Sequence, residues 1–331
     1  MIFYSPDMLQ PMKVTISVPE WAKSIVSDFT DMDRNPKIVT SETLSFEIPE
    51  NAYFEYAFLD ADGVMKPDPA NPVKADNPWY PNASSIIAPN YQADTYANPM
   101  AKAEGRVLRL RLESTHLKQT RRMIVYTPLG YEHQNLPVIY VQDGVAYYRI
   151  AKLAEVLEQL LSESLIRPAH LVFIEPNDRT AEYRFDANYR SFMTGELLPL
   201  VDTELQATSE RMVMGASLGG LVSATLALEN PHLFQTVIAQ SGAFLGSPSE
   251  LDFYRGKSSW ILETLQERDP LPIRWYSETG TLEWLTDINR KVHEVLLQKK
   301  YNHAYTERNL GHNWVNWRNG LGSGLQFALK L

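Results

Sequence analysis

Hydrophobic and polar positions change their period near residue 100. Before it, "KVTISVP", "TLSFEIP" and "AYFEYAFLDADG" alternate apolar and polar residues between Pro, Asn, Asp and Gly, the pattern of short strands in a small antiparallel sandwich. The stretch "KPDPANPVKADNPWYPNASSIIAPNYQADTYANPM" follows. Proline has no amide donor and restricts the residue before it, so this segment predicts extended connector. From Gly105 onward, "RVLRLRLES" and "RRMIVYTP" read as an antiparallel pair. The apolar runs "LPVIYVQDG", "AHLVFIEP", "SERMVMG", "FQTVIAQSGAF", "LPIRWYSETG" and "NHAYTERNLGH" then alternate with segments of helical period, among them "YYRIAKLAEVLEQLLSESL", "SFMTGELLPLVDTEL", "SLGGLVSATLALENP", "LEWLTDINRKVHEVLLQKK" and "WVNWRNGLGSGLQFAL". Buried strands alternating with helices predict an α/β fold, a mostly parallel sheet covered on both faces, with its ligand site at the carboxyl ends of the strands. The division expected is residues 1–100 as a β-sandwich with a Pro/Asn-rich linker, and 101–331 as an α/β domain.

Composition narrows the function. The 331 residues are 44% hydrophobic and 21% charged, ordinary for a chain with a real core. A net charge of −9 argues against non-specific nucleic-acid binding, which wants a basic face. There is no cysteine, which removes disulfides, thiolate metal sites and cysteine nucleophiles. The start "MIFYSPDMLQPMKV" lacks a basic leader and an apolar core, and no apolar run nears the roughly 20 residues of a membrane helix. The expectation is a soluble cytoplasmic protein with neither a membrane nor a nucleic-acid partner. H-E-x-x-H is absent and the histidines are scattered, so neither a metal nor a cofactor is expected.

The sharpest chemical signal is Gly215-Ala216-Ser217-Leu218-Gly219, a G-x-S-x-G between a predicted strand and helix. A serine held in a strained strand-to-helix turn needs small neighbours, and Gly215, Ala216, Gly219 and Gly220 supply them. Its hydroxyl then projects at the start of a helix whose dipole favours developing negative charge. A base must follow it in the chain, itself oriented by an acid. Of seven histidines, His116, His133 and His170 precede the serine, His232 lies at the far end of its helix, His293 falls in a helix and His303 in a strand. His312, in "NLGHNW", sits just beyond a strand, beside Gly311. The acid should come from "ETGTLEWLTD"; Glu283 is preferred over Asp287 and Glu278, although any of the three could simply support a helix N-terminus. Oxyanion donors are expected from the Leu218 amide and, after "VIYVQDG", the Val145 amide, with Asp143 as a loop-fixing acceptor.

These residues resemble the enterochelin (ferric enterobactin) esterase family of α/β-hydrolases. "VQDG", "NYRSFMTGELLPLVD", "GASLGGLVSATLALENPHLFQTVIAQSGAF" and "GHNWVNWRNGL" carry the likeness over most of residues 105–331, the last as the family's histidine signature. "DPANP" and "ASSIIAP" liken the first hundred residues to the immunoglobulin-like, glycogen-binding-type domain that precedes such hydrolases. The resemblance implies hydrolysis of a catecholate siderophore's trilactone, with Ser217, His312 and Glu283 as triad. Where relatives often carry Asp after Gly-His, this chain has Asn313. A bulky aromatic ligand, anionic with iron bound, wants aromatic faces and cations. Tyr148, Trp314 and Arg184 are the leading substrate-binding candidates, followed by Tyr147, Tyr189, Trp317 and Arg190, although aromatics at this density also build cores. A feruloyl or carbohydrate-ester esterase, and a non-catalytic binding protein on the same fold, are the competing readings.

Overall fold

The structure is a computed structural model that describes residues 11–251 and 258–331. The chain divides into two compact units. One holds the described residues up to Ala93 together with Thr279–Thr286 and Thr306–Asn316; the other holds those of Asp94–Glu278, Asp287–Tyr305 and Trp317–Leu331.

In the first unit, β1 (Pro11–Ser17) and β4 (Thr43–Pro49) pair antiparallel, Val14 opposite Phe46. A second antiparallel sheet runs β3 (Lys37–Ile38), β2 (Ser24–Ser27), β5 (Tyr53–Leu59), β6 (Met65–Lys66), with β7 (Ser84–Ile87) also on β5. Alternation explains the core: Val14, Ile16, Phe54, Tyr56 and Phe58 turn inward at every second position, and Leu282, remote in sequence, packs among them.

Among the described residues the large sheet has eight strands. In chain order they are β8 (Arg106–Ser114), β9 (Gln119–Thr127), β10 (Leu136–Val141), β11 (His170–Ile174), β12 (Ala207–Ala216), β13 (Thr236–Gln240), β14 (Arg274–Gly280) and β15 (His303–Arg308). Their spatial order is β15-β14-β13-β12-β10-β11-β9-β8. β8, β9 and β11 are antiparallel neighbours, while β11, β10, β12, β13 and β14 run parallel. The sheet is mixed because the hairpin of β8 and β9 joins these five parallel strands. β10 and β11 are buried along their whole length, as strands covered on both faces must be.

The helices are α1 (Gly144–Arg149), α2 (Leu153–Ser162), α3 (Arg179–Tyr183), α4 (Ala187–Ser191), α5 (Leu198–Glu204), α6 (Leu218–Glu229), α7 (Trp260–Glu267), α8 (Thr286–Gln298) and α9 (Trp314–Ala328). Two segments read as single helices are interrupted. Lys152 takes a left-handed conformation (φ 52°) and separates α1 from α2. Between α4 and α5 the turn at Phe192–Leu197 widens to a π-helix; Pro199, just beyond it, has no amide to offer the carbonyl one turn back. α6 is buried from Leu218 to Leu228, so every face is apolar or small.

Under the strand ends lies a row set by register: Ala216 opposite Gln240, and Gln240 opposite Glu278. The wholly buried Glu278 accepts from Gln240 Nε2 at 2.5 Å and from the Tyr276 hydroxyl at 2.7 Å, while Gln240 Nε2 also reaches the Trp317 carbonyl at 2.7 Å. Gly320 of α9 faces this carboxylate, and a Cβ there would overlap it. Because Glu278 is held by two donors, it has nowhere to go. Gly320→Ala should therefore cost about 1–3 kcal/mol, as overpacking does, read as a lowered midpoint in denaturant unfolding; an unchanged midpoint would mean the contact is slack.

Candidate active site

The turn from β12 to α6 has a single residue, Ser217, at φ 56° and ψ −120°. This backbone region costs a non-glycine residue on the order of 1–3 kcal/mol, so the surroundings must hold it. They do: the Ser217 amide donates to the Gln240 carbonyl at 2.8 Å, and its own carbonyl accepts from Leu221 at 3.1 Å and Ala243 at 3.0 Å. The close approach explains the glycines. A Cβ on Gly215 would lie 2.5–2.9 Å from the Gly219 backbone, and one on Gly220 would lie 3.1 Å from the Gly242 Cα. Leu218 opens α6, where the first amides have no acceptor within the helix.

The loop after β10 is fixed from several sides. Asp143 precedes α1 in a left-handed conformation (φ 54°), and its amide donates to the Tyr183 hydroxyl at 3.0 Å. Its carboxylate accepts Arg179 Nε at 2.7 Å and Nη2 at 2.9 Å. Arg179 has no motif around it, and the only sequence clue is an acid ending one strand and an arginine in the loop after the next. The amide of Val145, the expected second oxyanion donor, donates to Glu175 Oε2 at 2.9 Å in this structure. Burial raises the Glu175 carboxyl above its usual value and Asp143 adds to this, while the Val145 amide and Arg179 oppose it.

Several substrate-binding candidates belong to the core instead. Trp314 is fully buried with its ring edge-on to Trp79, and Tyr147, Tyr189 and Trp317 are equally buried. Their polar atoms are used inside: Tyr147 donates to Gln240 Oε1 at 2.6 Å, Tyr189 to Gln142 Oε1 at 2.5 Å, and Trp317 Nε1 to Ser241 Oγ at 3.0 Å. Arg190 pairs with Glu229 at 2.7 Å. Tyr148 is half-buried, its ring edge on Phe173, and Arg184 is half-buried with Nη1 donating to the Leu251 carbonyl at 3.4 Å.

In the other compact unit, His312 Nδ1 and Glu283 Oε2 form a short hydrogen bond. Glu283 is buried, and its second oxygen accepts from Thr279 Oγ1 at 2.7 Å and from the Gly280 amide at 2.6 Å. Of the three acids in that stretch of sequence, Glu283 is therefore the one that meets the imidazole; Asp287 is exposed on α8 and Glu278 is engaged with Gln240 and Tyr276. An acidic group from early in the chain backs this pair. Asp28 is buried, accepts the Glu55 amide at 2.7 Å and Asn313 Nδ2 at 3.3 Å, and sits so close to Gly311 that a Cβ there would overlap its carboxylate. Burial, with Glu55 and Glu283 adding, raises the Asp28 carboxyl well above the usual range. Asp31 (φ 52°) joins two short 3₁₀ turns nearby. Burial pushes its carboxyl up to about 6 against the pull of His312 and Arg34.

Among the described residues, no group of three or more metal-ligating side chains is gathered, and no helix is long and apolar enough to cross a membrane. The chain is an α/β protein with a serine at the tight turn between β12 and α6. It belongs to the Putative esterase family, whose profile matches residues 114–328. The chain is 27% identical over 243 residues to the uncharacterized protein YjcH of Bacillus subtilis strain 168, covering 66% of this chain and 95% of that one. It is 26% identical over 284 residues to the iron(III) enterobactin esterase of Dickeya dadantii, covering 78% of this chain and 65% of that protein. The crystal structure of the enterobactin esterase FES from Shigella flexneri in the presence of enterobactin superposes with a TM-score of 0.74 at 20% identity, over 96% of this chain and 92% of that one.

Asp31 gives a pH prediction. Its folded pKa, about 6, lies above the ordinary 3.8, so folding favours the protonated acid. The stability this contributes is complete below about pH 4 and is lost as pH rises towards 6. Asn tolerates the left-handed backbone and carries no charge. Asp31→Asn should then gain roughly 1–3 kcal/mol over the parent at pH 7, shrinking to nothing near pH 4, in urea unfolding across that range. A gain that does not depend on pH would contradict this.

Proposed function

We propose that this chain is a serine esterase that hydrolyses the ester bonds of an enterobactin-type catecholate trilactone. The observation that carries the reading is the His312–Glu283 pair, with the carboxylate's other oxygen pinned by Thr279 and Gly280. A carboxylate on Nδ1 fixes the imidazole tautomer and leaves Nε2 as the basic nitrogen, which is what a serine nucleophile needs. Ser217, strained at the head of α6 in a strand-to-helix turn of the G-x-S-x-G kind, is the proposed nucleophile.

In the proposed reaction, Nε2 of His312 takes the Ser217 proton as Oγ attacks the ester carbonyl. The carbonyl oxygen becomes an oxyanion, received by the Leu218 amide and by the Val145 amide once Glu175 yields it. Collapse expels the alkoxide, which takes the proton back from His312. Water, deprotonated by His312, then attacks the acyl-serine; the bond to Ser217 Oγ breaks, the acid is freed, and the serine oxygen takes the proton from His312. Glu283 orients the imidazole and stabilises its cation; no metal or cofactor takes part. Tyr148 and Arg184, both partly exposed in the unit that holds Ser217, are the proposed contacts to the ligand's aromatic and anionic groups. The sheets before residue 93 are proposed to be an immunoglobulin-like, glycogen-binding-type domain. The likeness to the Dickeya enzyme, over 78% of this chain, supports the trilactone as substrate.

Purified enzyme is expected to show its highest kcat/KM on a catecholate trilactone, measured beside feruloyl and short acyl esters. Ser217→Ala should remove nearly all activity on every ester while the fold persists, and Glu283→Gln should cost on the order of 10⁴-fold in kcat. Preference for feruloyl esters would overturn the substrate assignment, and hydrolysis surviving Ser217→Ala would overturn the nucleophile.

A further inference from the structure

Two loops must supply the oxyanion amides: the nucleophile turn at Ala216–Gly219 and the loop Gln142–Val145. They follow β12 and β10, which lie side by side with Val141 opposite Met214. Neighbouring strands fix where these loops begin but not how they are aimed, and one of them is led by a left-handed aspartate. Arg179 spans the two. Its Nε and Nη2 hold both oxygens of Asp143 at 2.7 and 2.9 Å, and Nη2 also donates to the Ala216 carbonyl, next to Ser217, at 3.2 Å. Both protons of Nη2 are thus used, one on each loop. The guanidinium lies over the Tyr183 ring at 5.5 Å, and the Tyr183 hydroxyl accepts the Asp143 amide. The Asp143 carboxylate in turn closes on the helix start, 3.1 Å from where a Gly219 Cβ would be.

The base from which Arg179 reaches is rigid. α3 follows Asp178, which caps it by accepting the Ala181 amide at 3.0 Å. Glu182 pairs with Arg121 in a buried ion pair and also takes the amides of Asn177 at 3.3 Å and Asp178 at 3.2 Å. Arg121 Nη1 further donates to the Glu175 carbonyl at 3.1 Å. Gly144 completes the clamp: a Cβ there would overlap the backbone of Phe173 and Ile174, so this loop is pressed onto the end of β11.

We propose that Arg179 is a positioning residue that holds the two amide-bearing loops at one separation, so that the Leu218 and Val145 donors converge on a single oxygen. The proposal rests on Ser217 being the nucleophile. Arg179 touches no reacting atom; it acts through Asp143 and Ala216. A planar fork donating three hydrogen bonds at fixed angles is what this requires, and lysine cannot imitate it.

The test is steady-state kinetics of Arg179→Lys and Arg179→Ala on a neutral and an anionic p-nitrophenyl ester, with the rate of Ser217 phosphonylation by a neutral p-nitrophenyl phosphonate and the melting temperature of each variant. Loss of oxyanion alignment lowers kcat and the phosphonylation rate together, on the order of 10²-fold, with KM nearly unchanged on both esters. Added guanidinium should restore a large part of the Arg179→Ala rate. A rise in KM confined to the anionic ester, with kcat kept, would overturn the proposal by making Arg179 a ligand cation. So would full kcat in Arg179→Lys, or failure of guanidinium to rescue a variant that melts like the parent. If the phosphonate instead labels another residue in the parent enzyme, the nucleophile assignment is what fails, and the Arg179 kinetics separate the two.

Discussion

The serine half of the candidate chemistry follows from how tightly β12 meets α6. A single residue turns the chain, and it does so at φ 56°, where a side chain is strained. The strain persists because Gly215 and Gly219 let strand and helix touch and because the Gln240 carbonyl and the Ala243 amide grip the Ser217 backbone. The same closeness lets the Asp143 carboxylate approach Gly219 and lets Arg179 reach Ala216. A buried polar row, Gln240 with Glu278, lies under the turn in register with Ala216. The Ser217 backbone is thus held by one carbonyl and two amides, while the residue stays half-buried.

The first compact unit shows how a short, remote piece of chain is fixed. Thr279–Thr286 and Thr306–Asn316 fold with strands from the first ninety residues. Leu282 enters their apolar core, and Asp28 fills the space that Gly311 leaves. Glu283 and His312 are carried by these same two segments, so the leading strands set the ground on which the imidazole is oriented. The raised carboxyls of Asp28 and Asp31 belong to this contact.

Much of this is legible in the sequence where the cause is local. The serine turn can be read because strand, small residues and helix are adjacent, and the paired strands of β8 and β9 because alternation fixes their register. The choice among Glu278, Glu283 and Asp287 is not local: all three sit in one stretch, and only the fold brings Glu283 to Nδ1 of His312. Aromatics at strand ends read the same whether they line a pocket or fill a core, so Trp314, Tyr147, Tyr189 and Trp317 could not be placed from pattern alone. Arg179 and Asp143 are 36 residues apart, and Asp28 and Asn313 are 285 apart; no periodicity joins such pairs. The breaks at Lys152 and at Phe192–Leu197 likewise answer to packing and to a proline beyond the turn rather than to helical period.

The central claim is that the hydroxyl at the β12–α6 turn attacks the ester. It is tested most directly by stopping the reaction during turnover of an activated ester and locating the acyl group by peptide mass spectrometry. The account predicts one acyl group per chain, on the peptide bearing Ser217. An acyl group on any other residue, or rapid hydrolysis with no acyl-enzyme under conditions that slow deacylation, would contradict it.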